Sequence, residues 1–426
     1  MSNPEEQKQP QEEPGEEEEE EETPITTTTR TARVEGLPLD WTQLGSPVGE
    51  EMPIRYPHDV AEISSDELEI IIVGTAGQKI TFMSDDFYTQ CNPNLESLVL
   101  RSHLISEIKG IQGFTKLEVL ELYDNQLKSL ACLEGPGPNL RILDMSYNAI
   151  RDMMPVTLCP NLTELYLANN KLKEIKGLKG LKMLRKLDLG ANRIRVMDGE
   201  ELGGMVNLEE LWIGKNKIEQ IQGLEQLNKL RRLDVQSNRL TTIENLTTQA
   251  PILEELYLAH NGIDDEGASM DTGLALDFPN LNVIDMSRNR LTSTTPFAHL
   301  EGLEELWISG NQVSGWDDVK PLQEAALAGK QSLETVYLEH NPVASEFEYR
   351  KKLAEMLPSL NQIDANLIGG LAAHGMPTTV VQQQRQSNLE MGSLEEQMRQ
   401  LQTTIVDRAR EETEAYKEQE KKDSDS

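Results

Sequence analysis

The chain has 426 residues and a formal net charge of −33, long enough for one large repeat array or two compact domains. Such acidity excludes nucleic acid and anionic lipid as main ligands, since both demand positive charge. Three cysteines (Cys91, Cys132 and Cys159) in no paired or metal-like spacing point to a reducing compartment, with each thiol a small apolar filler.

Residues 1–60 hold an unbroken Glu16 to Glu22 run, then threonines from Thr26 to Thr29, with prolines scattered between. Low hydrophobicity and like-charge repulsion cannot offset chain entropy, so this tail is expected to be disordered and chiefly solubilising. It has no apolar core of the signal-peptide kind, and no apolar run approaches the length that spans a bilayer. A soluble protein of the nucleus or cytosol is the expectation. Residues 61–94 form a lead-in with one clear apolar run, Leu68 to Val73, that suits a terminal capping strand.

From Leu95 the frame L-x-x-L/I-x-L/V/I/M-x-x-N appears eleven times: LESLVLRSH, LEVLELYDN, LRILDMSYN, LTELYLANN, LRKLDLGAN, LEELWIGKN, LRRLDVQSN, LEELYLAHN, LNVIDMSRN, LEELWISGN and LETVYLEHN. The copies start 22 to 24 residues apart, with two longer spacings of 28 and 30, which is the period of a leucine-rich repeat. The fold expected over 95–345 is therefore an α/β repeat solenoid: a horseshoe with a concave parallel sheet and short helical or 3-10 turns on its convex side. In LEELWIGKNKIEQIQGLEQL, the apolar residues Leu208, Leu211, Ile213, Ile218, Ile221, Leu224 and Leu227 fit a short strand and a tight return turn facing a core shared between units. The frames close on Asn125, Asn148, Asn170, Asn192, Asn216, Asn238, Asn261, Asn289, Asn311 and Asn341, a column of amides suited to backbone groups freed where each strand turns away. His103 stands in the first copy where the others have Asn.

Alternation along a strand puts the leucines in the core and the fifth residue of each frame on the open face. After Val99 that column reads Glu121, Asp144, Tyr166, Asp188, Trp212, Asp234, Tyr257, Asp285, Trp307 and Tyr337, entirely acidic or aromatic. The third position runs Glu164, Lys186, Glu210, Arg232 and Glu255, so some cross-strand charge pairing is expected. Aromatic rings among charges on an open sheet are the composition of a protein-binding hot spot, and small residues at the seventh position (Ala168, Gly190, Gly214, Ala259, Ser287 and Ser309) leave the rings uncovered. Eleven strands at about 4.8 Å make a face about 50 Å long, sized for a folded domain.

Residues 346–368 read as a terminal cap, with a helix from about Glu346 to Met356 offering Leu353, Met356 and Leu357 to the last unit. Residues 369–426 are polar, with Met391, Leu394, Met398, Leu401 and Ile405 at helical spacing.

The stretches LELYDNQLKSL, LWIGKNKI, SNRLTTIENL, LYLAHNGI and SLETVYLEHNPVASEFEYRKKLAEMLPSLNQIDA resemble the leucine-rich-repeat regulatory subunit of protein phosphatase 1, over about 95–368. The resemblance implies a non-catalytic protein of the nucleus, with some in the cytoplasm, that grips the phosphatase catalytic subunit with its concave face. It implies control of maturation, targeting or activity in chromosome segregation and mitosis, and a ternary complex with inhibitor-3. It places partner contacts on Asp144, Tyr166, Asp188, Trp212, Asp285, Glu305, Trp307 and Tyr337; Asp234 and Tyr257 join them from the column itself. Relatives often have Phe at the positions of Tyr166 and Trp212, and Glu at that of Asp188. In the lead-in, Lys79, Ile80 and Phe82 fit the short basic, aliphatic, any, aromatic pattern that docks on this phosphatase as an added strand, although a capping strand is the favoured reading there.

Three rival functions compete with this one. An enzyme is disfavoured because His58, His103, His260, His299, His340 and His374 form no metal spacing, and no phosphate-cradling loop or nucleophile elbow occurs; no cofactor or metal is expected. A leucine-rich scaffold for another folded client is the main alternative, and an acidic tail that chaperones basic proteins is the third.

Overall fold

The computed structural model describes residues 54–368. They build one sheet of fourteen strands stacked in chain order, each paired only with its neighbours in sequence. The strands are β1 Glu69–Val73, β2 Ser97–Arg101, β3 Val119–Glu121, β4 Ile142–Asp144, β5 Glu164–Tyr166, β6 Lys186–Asp188, β7 Glu210–Trp212, β8 Arg232–Asp234, β9 Glu255–Tyr257, β10 Val283–Asp285, β11 Glu305–Trp307, β12 Thr335–Tyr337, β13 Gln362–Ile363 and β14 Asn366–Leu367. All pairs are parallel except the last, an antiparallel turn-back of β14 on β13. The acidic tail, the polar C-terminal tail and its helical-spacing stretch lie outside the described residues.

Parallel neighbours require a crossover, and a repeat of 22 to 24 residues is just long enough for one strand and one return. Most returns are turns or single 3-10 segments such as Ala131–Glu134 and Met154–Leu158. The two long spacings are explained by extra helix: Asp265–Ala268 in the 28-residue unit and Lys320–Leu327 in the 30-residue unit. Asp264 caps the first, accepting the Gly267 N–H at 2.9 Å.

The seven apolar positions of the unit from Leu208 to Leu227 are all fully buried, and one continuous apolar core runs from Ile70 to Ile363. Each such side chain contributes about 1.5–3 kcal/mol by burial, and the neighbouring units supply its contacts.

Each strand from β2 to β12 then turns through a left-handed residue at the eighth frame position, for example Asp124, Tyr147, Ala191, Lys215 and His340. The Asn next in the chain ties its own unit to the one before it. Asn192 Nδ2 donates to the carbonyls of Leu167 (2.9 Å) and Leu189 (3.0 Å), while its Oδ1 accepts the Leu172 N–H at 3.0 Å. The column is continued at both ends by other residues. His103, buried, accepts the Ile80 N–H on Nδ1 at 3.1 Å and lies 3.0 Å from the Ile72 carbonyl through Nε2, which fixes Nε2 as the protonated nitrogen. Burial lowers its pKa. At the far end Asp364 Oδ1 accepts the N–H groups of Leu338 and Glu339, both at 2.9 Å.

The lead-in supplies a real strand. β1 starts at Glu69 rather than Leu68 and pairs with β2 in full register, burying Ile70 and Ile72 and leaving Ile71 and Val73 on the open face. The capping-strand reading of Lys79 to Phe82 is corrected: this segment is not a strand. It crosses the end of the core as a loop, with Ile80 fully buried and the Thr81 and Phe82 N–H groups donated to the Arg55 carbonyl at 3.0 and 3.2 Å. In the cap, the helix is Tyr349–Met356, shorter at its start than expected because Glu348 is left-handed at φ 58° and cannot join it. Leu353, Met356 and Leu357 are buried.

Candidate functional site

The strand register brings the fifth-position residues into one line across the open face. Asp144 stands opposite Tyr166, Tyr166 opposite Asp188, Asp188 opposite Trp212, Trp212 opposite Asp234, Asp234 opposite Tyr257, Tyr257 opposite Asp285, Asp285 opposite Trp307 and Trp307 opposite Tyr337. Glu305 lies two residues before Trp307 on the same face.

The aspartates have a local job that their pattern did not announce. Asp144, Asp188, Asp234 and Asp285 each curl back so that Oδ1 accepts the N–H two residues on, from Ser146 (2.9 Å), Gly190 (2.8 Å), Gln236 (2.9 Å) and Ser287 (2.8 Å). This closes the end of the strand where the ladder stops. Burial pushes all four carboxyls above the usual carboxylate range, and these N–H bonds oppose the rise. The small seventh residue has a matching role: a Cβ on Gly214 would come within 3.0 Å of Asp234 Oδ1, and one on Gly190 within 3.1 Å of Asp188 Oδ1. Those glycines make room for the carboxylates as much as they uncover the rings. The signal was present as Asp-x-Ser or Asp-x-Gly at the strand end, a turn-forming pair.

Most of the rings are held by glutamates two residues earlier on the same face. Tyr166 Oη donates to Glu164 at 2.6 Å, Tyr257 Oη to Glu255 at 2.6 Å, and Trp307 Nε1 to Glu305 at 3.2 Å. Burial raises the Tyr166, Tyr257 and Glu305 pKa values. Trp212 is the exception, since Glu210 faces Lys186 at 3.7 Å and Arg232 at 3.4 Å, and the Arg232 guanidinium sits 5.9 Å from the Trp212 ring. Arg232 also reaches Glu255 at 2.5 Å, so the expected charge pairing across the third position is present in the middle of the sheet. It stops there: Glu305 stands between Val283 and Thr335.

Around Trp307 the rings meet each other. Its centroid lies 6.3 Å from Tyr257 and 5.5 Å from Tyr337, both edge-on, with Asp285 buried between the Tyr257 and Trp307 strands. Tyr337 Oη accepts from Gln362 Nε2 at 2.7 Å. All five rings are half-buried, four have their polar edges engaged and the fifth, Trp212, has a guanidinium beside it. They are fixed before any partner arrives, and little rotamer entropy remains to be lost on binding. Sequence reasoning missed a second aromatic pair beside the column, Tyr123 and Tyr147, with centroids 4.9 Å apart. Tyr147 occupies a left-handed turn position, which is why it projects.

The weak docking pattern is not assembled. Ile80, which would have to fill a partner's pocket, is fully buried in the chain's own core, while Lys79 and Phe82 lie at the end of the sheet and away from the column. Among the described residues no group of three or more His, Cys, Asp or Glu could hold a metal ion, and no helix is long and apolar enough to cross a membrane.

An open ladder of parallel strands, one per 22 to 30 residues, sewn together by an Asn column, defines a leucine-rich-repeat protein. Residues 138–194 and 182–240 match the family described as leucine rich repeat, and 250–270 match another of the same description. A Leptospira interrogans leucine-rich-repeat protein of known structure superposes with a TM-score of 0.56 at 24% identity, over 67% of this chain and 69% of that one; this likeness concerns the fold alone. Within the class, stretches of the chain are similar to protein phosphatase 1 regulatory subunits. The chain is 34% identical over 105 residues to the protein phosphatase 1 regulatory inhibitor subunit homolog of Arabidopsis thaliana, covering 25% of this chain and 32% of that relative. It is 42% identical over 73 residues to a protein phosphatase 1 regulatory subunit of Schizosaccharomyces pombe, covering 17% and 21%. The aligned stretches thus span about a third or less of either relative's length.

Proposed function

We propose that this protein is a non-catalytic regulatory subunit that binds the catalytic subunit of protein phosphatase 1 through the acidic and aromatic column of its sheet. Support comes from the phosphatase regulatory subunits among its relatives and, above all, from the pre-fixed cluster of Tyr257, Trp307 and Tyr337 around Asp285. Half-buried rings in a line of carboxylates suit a folded partner with cationic side chains beside apolar patches, where aromatic anchors carry most of the binding energy. Control of phosphatase maturation, targeting or activity in mitosis and chromosome segregation, a nuclear location with some cytoplasmic protein, and a ternary complex with inhibitor-3 belong to the same proposal. Calorimetric titration of the phosphatase catalytic subunit with the full chain tests it. Trp307→Ala and Tyr337→Ala are each expected to cost about 2 kcal/mol or more, roughly a thirtyfold loss of affinity, with the fold unchanged. Equal affinities for wild type and both variants would reject the column as the contact surface.

A further inference from the structure

The middle repeats carry charge opposite to that of the whole chain. Between residues 171 and 240, 15 Lys and Arg stand against 10 Asp and Glu, in a chain of net −33. After Asn170, Asn192 and Asn216 three successive turns leave an open cleft of about 600 Å³, walled by Lys173, Lys176, Arg193, Arg195 and Lys217. Its apolar lining is the exposed Val196, 56% accessible, and the buried Ile175.

Among the described residues, nothing neutralises most of these cations. Lys176 pairs with Glu174. The Asp198 carboxylate is engaged as a helix cap, accepting the Glu200 N–H at 2.9 Å. The side chains of Lys173, Arg193, Arg195 and Lys217 have no hydrogen-bond or ion-pair partner among the described residues, although arginines elsewhere on the same repeats find glutamates, as Arg185 does with Glu209 and Arg231 with Glu254. Like charges stacked on neighbouring repeats repel, and a lined cleft with one sign of charge raises the local concentration of the opposite one.

We propose that this cleft is a second docking site, taking an acidic peptide segment of a partner protein that lays one aliphatic side chain on Val196 and its carboxylates against Lys173, Arg193, Arg195 and Lys217. The apolar lining gives a small free anion nothing to use. Nucleic acid is disfavoured by the lack of any aromatic ring in the cleft on which a base could stack. The site lies off the strand face, so it does not depend on the phosphatase reading and leaves the aromatic column free.

The probe is a fluorescein-labelled peptide of three glutamates, one leucine and three glutamates, titrated with the full chain and read by anisotropy. Binding should weaken as salt rises, fall at least about tenfold in the Arg193→Glu, Arg195→Glu double variant, and fall severalfold when the peptide's leucine is replaced by alanine. Arg195→Gln, which only removes a charge, should give a smaller loss in the same direction with an unchanged melting temperature, so the test survives any folding defect of the double variant. The proposal is overturned by no binding to the wild-type chain, by equal binding to the variants, by indifference to the peptide's leucine, or by displacement with an equal-length single-stranded DNA as effective as unlabelled peptide.

Discussion

Asn192→Ala tests what holds successive repeats in register. The Asn192 amide, 8% exposed, serves four backbone groups, but they do not lose equally. The Leu167 carbonyl keeps Asn170 Nδ2 at 3.1 Å, and the Leu189 carbonyl keeps Asn216 Nδ2 at 3.0 Å. The Leu172 N–H, in a fully buried residue, has Asn192 Oδ1 as its one acceptor among the described residues. One orphaned buried donor costs about 1–3 kcal/mol, and the thinned bonding at the carbonyls adds about 0.5–1.5 kcal/mol, for an expected loss of about 1.5–4.5 kcal/mol. Urea denaturation followed by circular dichroism measures it, with the midpoint compared directly because a long repeat array need not unfold in two states. A loss below about 0.5 kcal/mol would refute the reasoning, since it would mean that water or a neighbouring amide replaces the lost acceptor without cost.

The same geometry has other testable consequences. Leu211→Ala, at a fully buried position of the central strand, should cost about 2–5 kcal/mol in the same assay and loosen both adjacent units, seen as faster backbone hydrogen exchange around Leu187 and Leu233. The column aspartates predict an unusual pH dependence: burial raises the Asp188 carboxyl, so the folded chain takes up that proton at a pH where the unfolded chain has not. Its contribution to stability is therefore fully present below the unfolded pKa and is lost as pH rises through the raised folded pKa. Asp188→Asn keeps the acceptor for the Gly190 N–H and removes the charge; it should raise the melting temperature at pH 7 and flatten the rise that wild type shows as pH falls through the folded Asp188 pKa, and a lower melting temperature at pH 7 would contradict the assignment.

The repeat was legible because its determinants are short-range and periodic. Leucine spacing fixed which residues face the core, and strand alternation fixed the outward column, so the pattern alone puts Asp144 through Tyr337 in line. The Asn column was legible for the same reason. What stayed hidden depends on contacts between units some 20 residues apart or on local backbone angles. The Asp carboxylates looked free for a partner, but their capping of Ser146, Gly190, Gln236 and Ser287 depends on where the strand ends. Lys79 to Phe82 matched a docking pattern in one dimension, but burial of Ile80 beneath the His103 ring nitrogen that accepts its N–H is a tertiary fact. The cationic cluster was written in plain view, as Lys or Arg after Asn170, Asn192, Asn216 and Asn238, yet only stacking of the turns makes it a cleft.

Contact between the aromatic and acidic column of the sheet and the phosphatase is read by placing a photo-crosslinking amino acid at Tyr166 or Trp212 in the column, and separately at Met183, exposed on a return turn. Irradiation with the phosphatase catalytic subunit should give a covalent adduct from the column positions and none from Met183. An adduct from Met183 with none from the column would place the contact on the opposite surface and contradict the account.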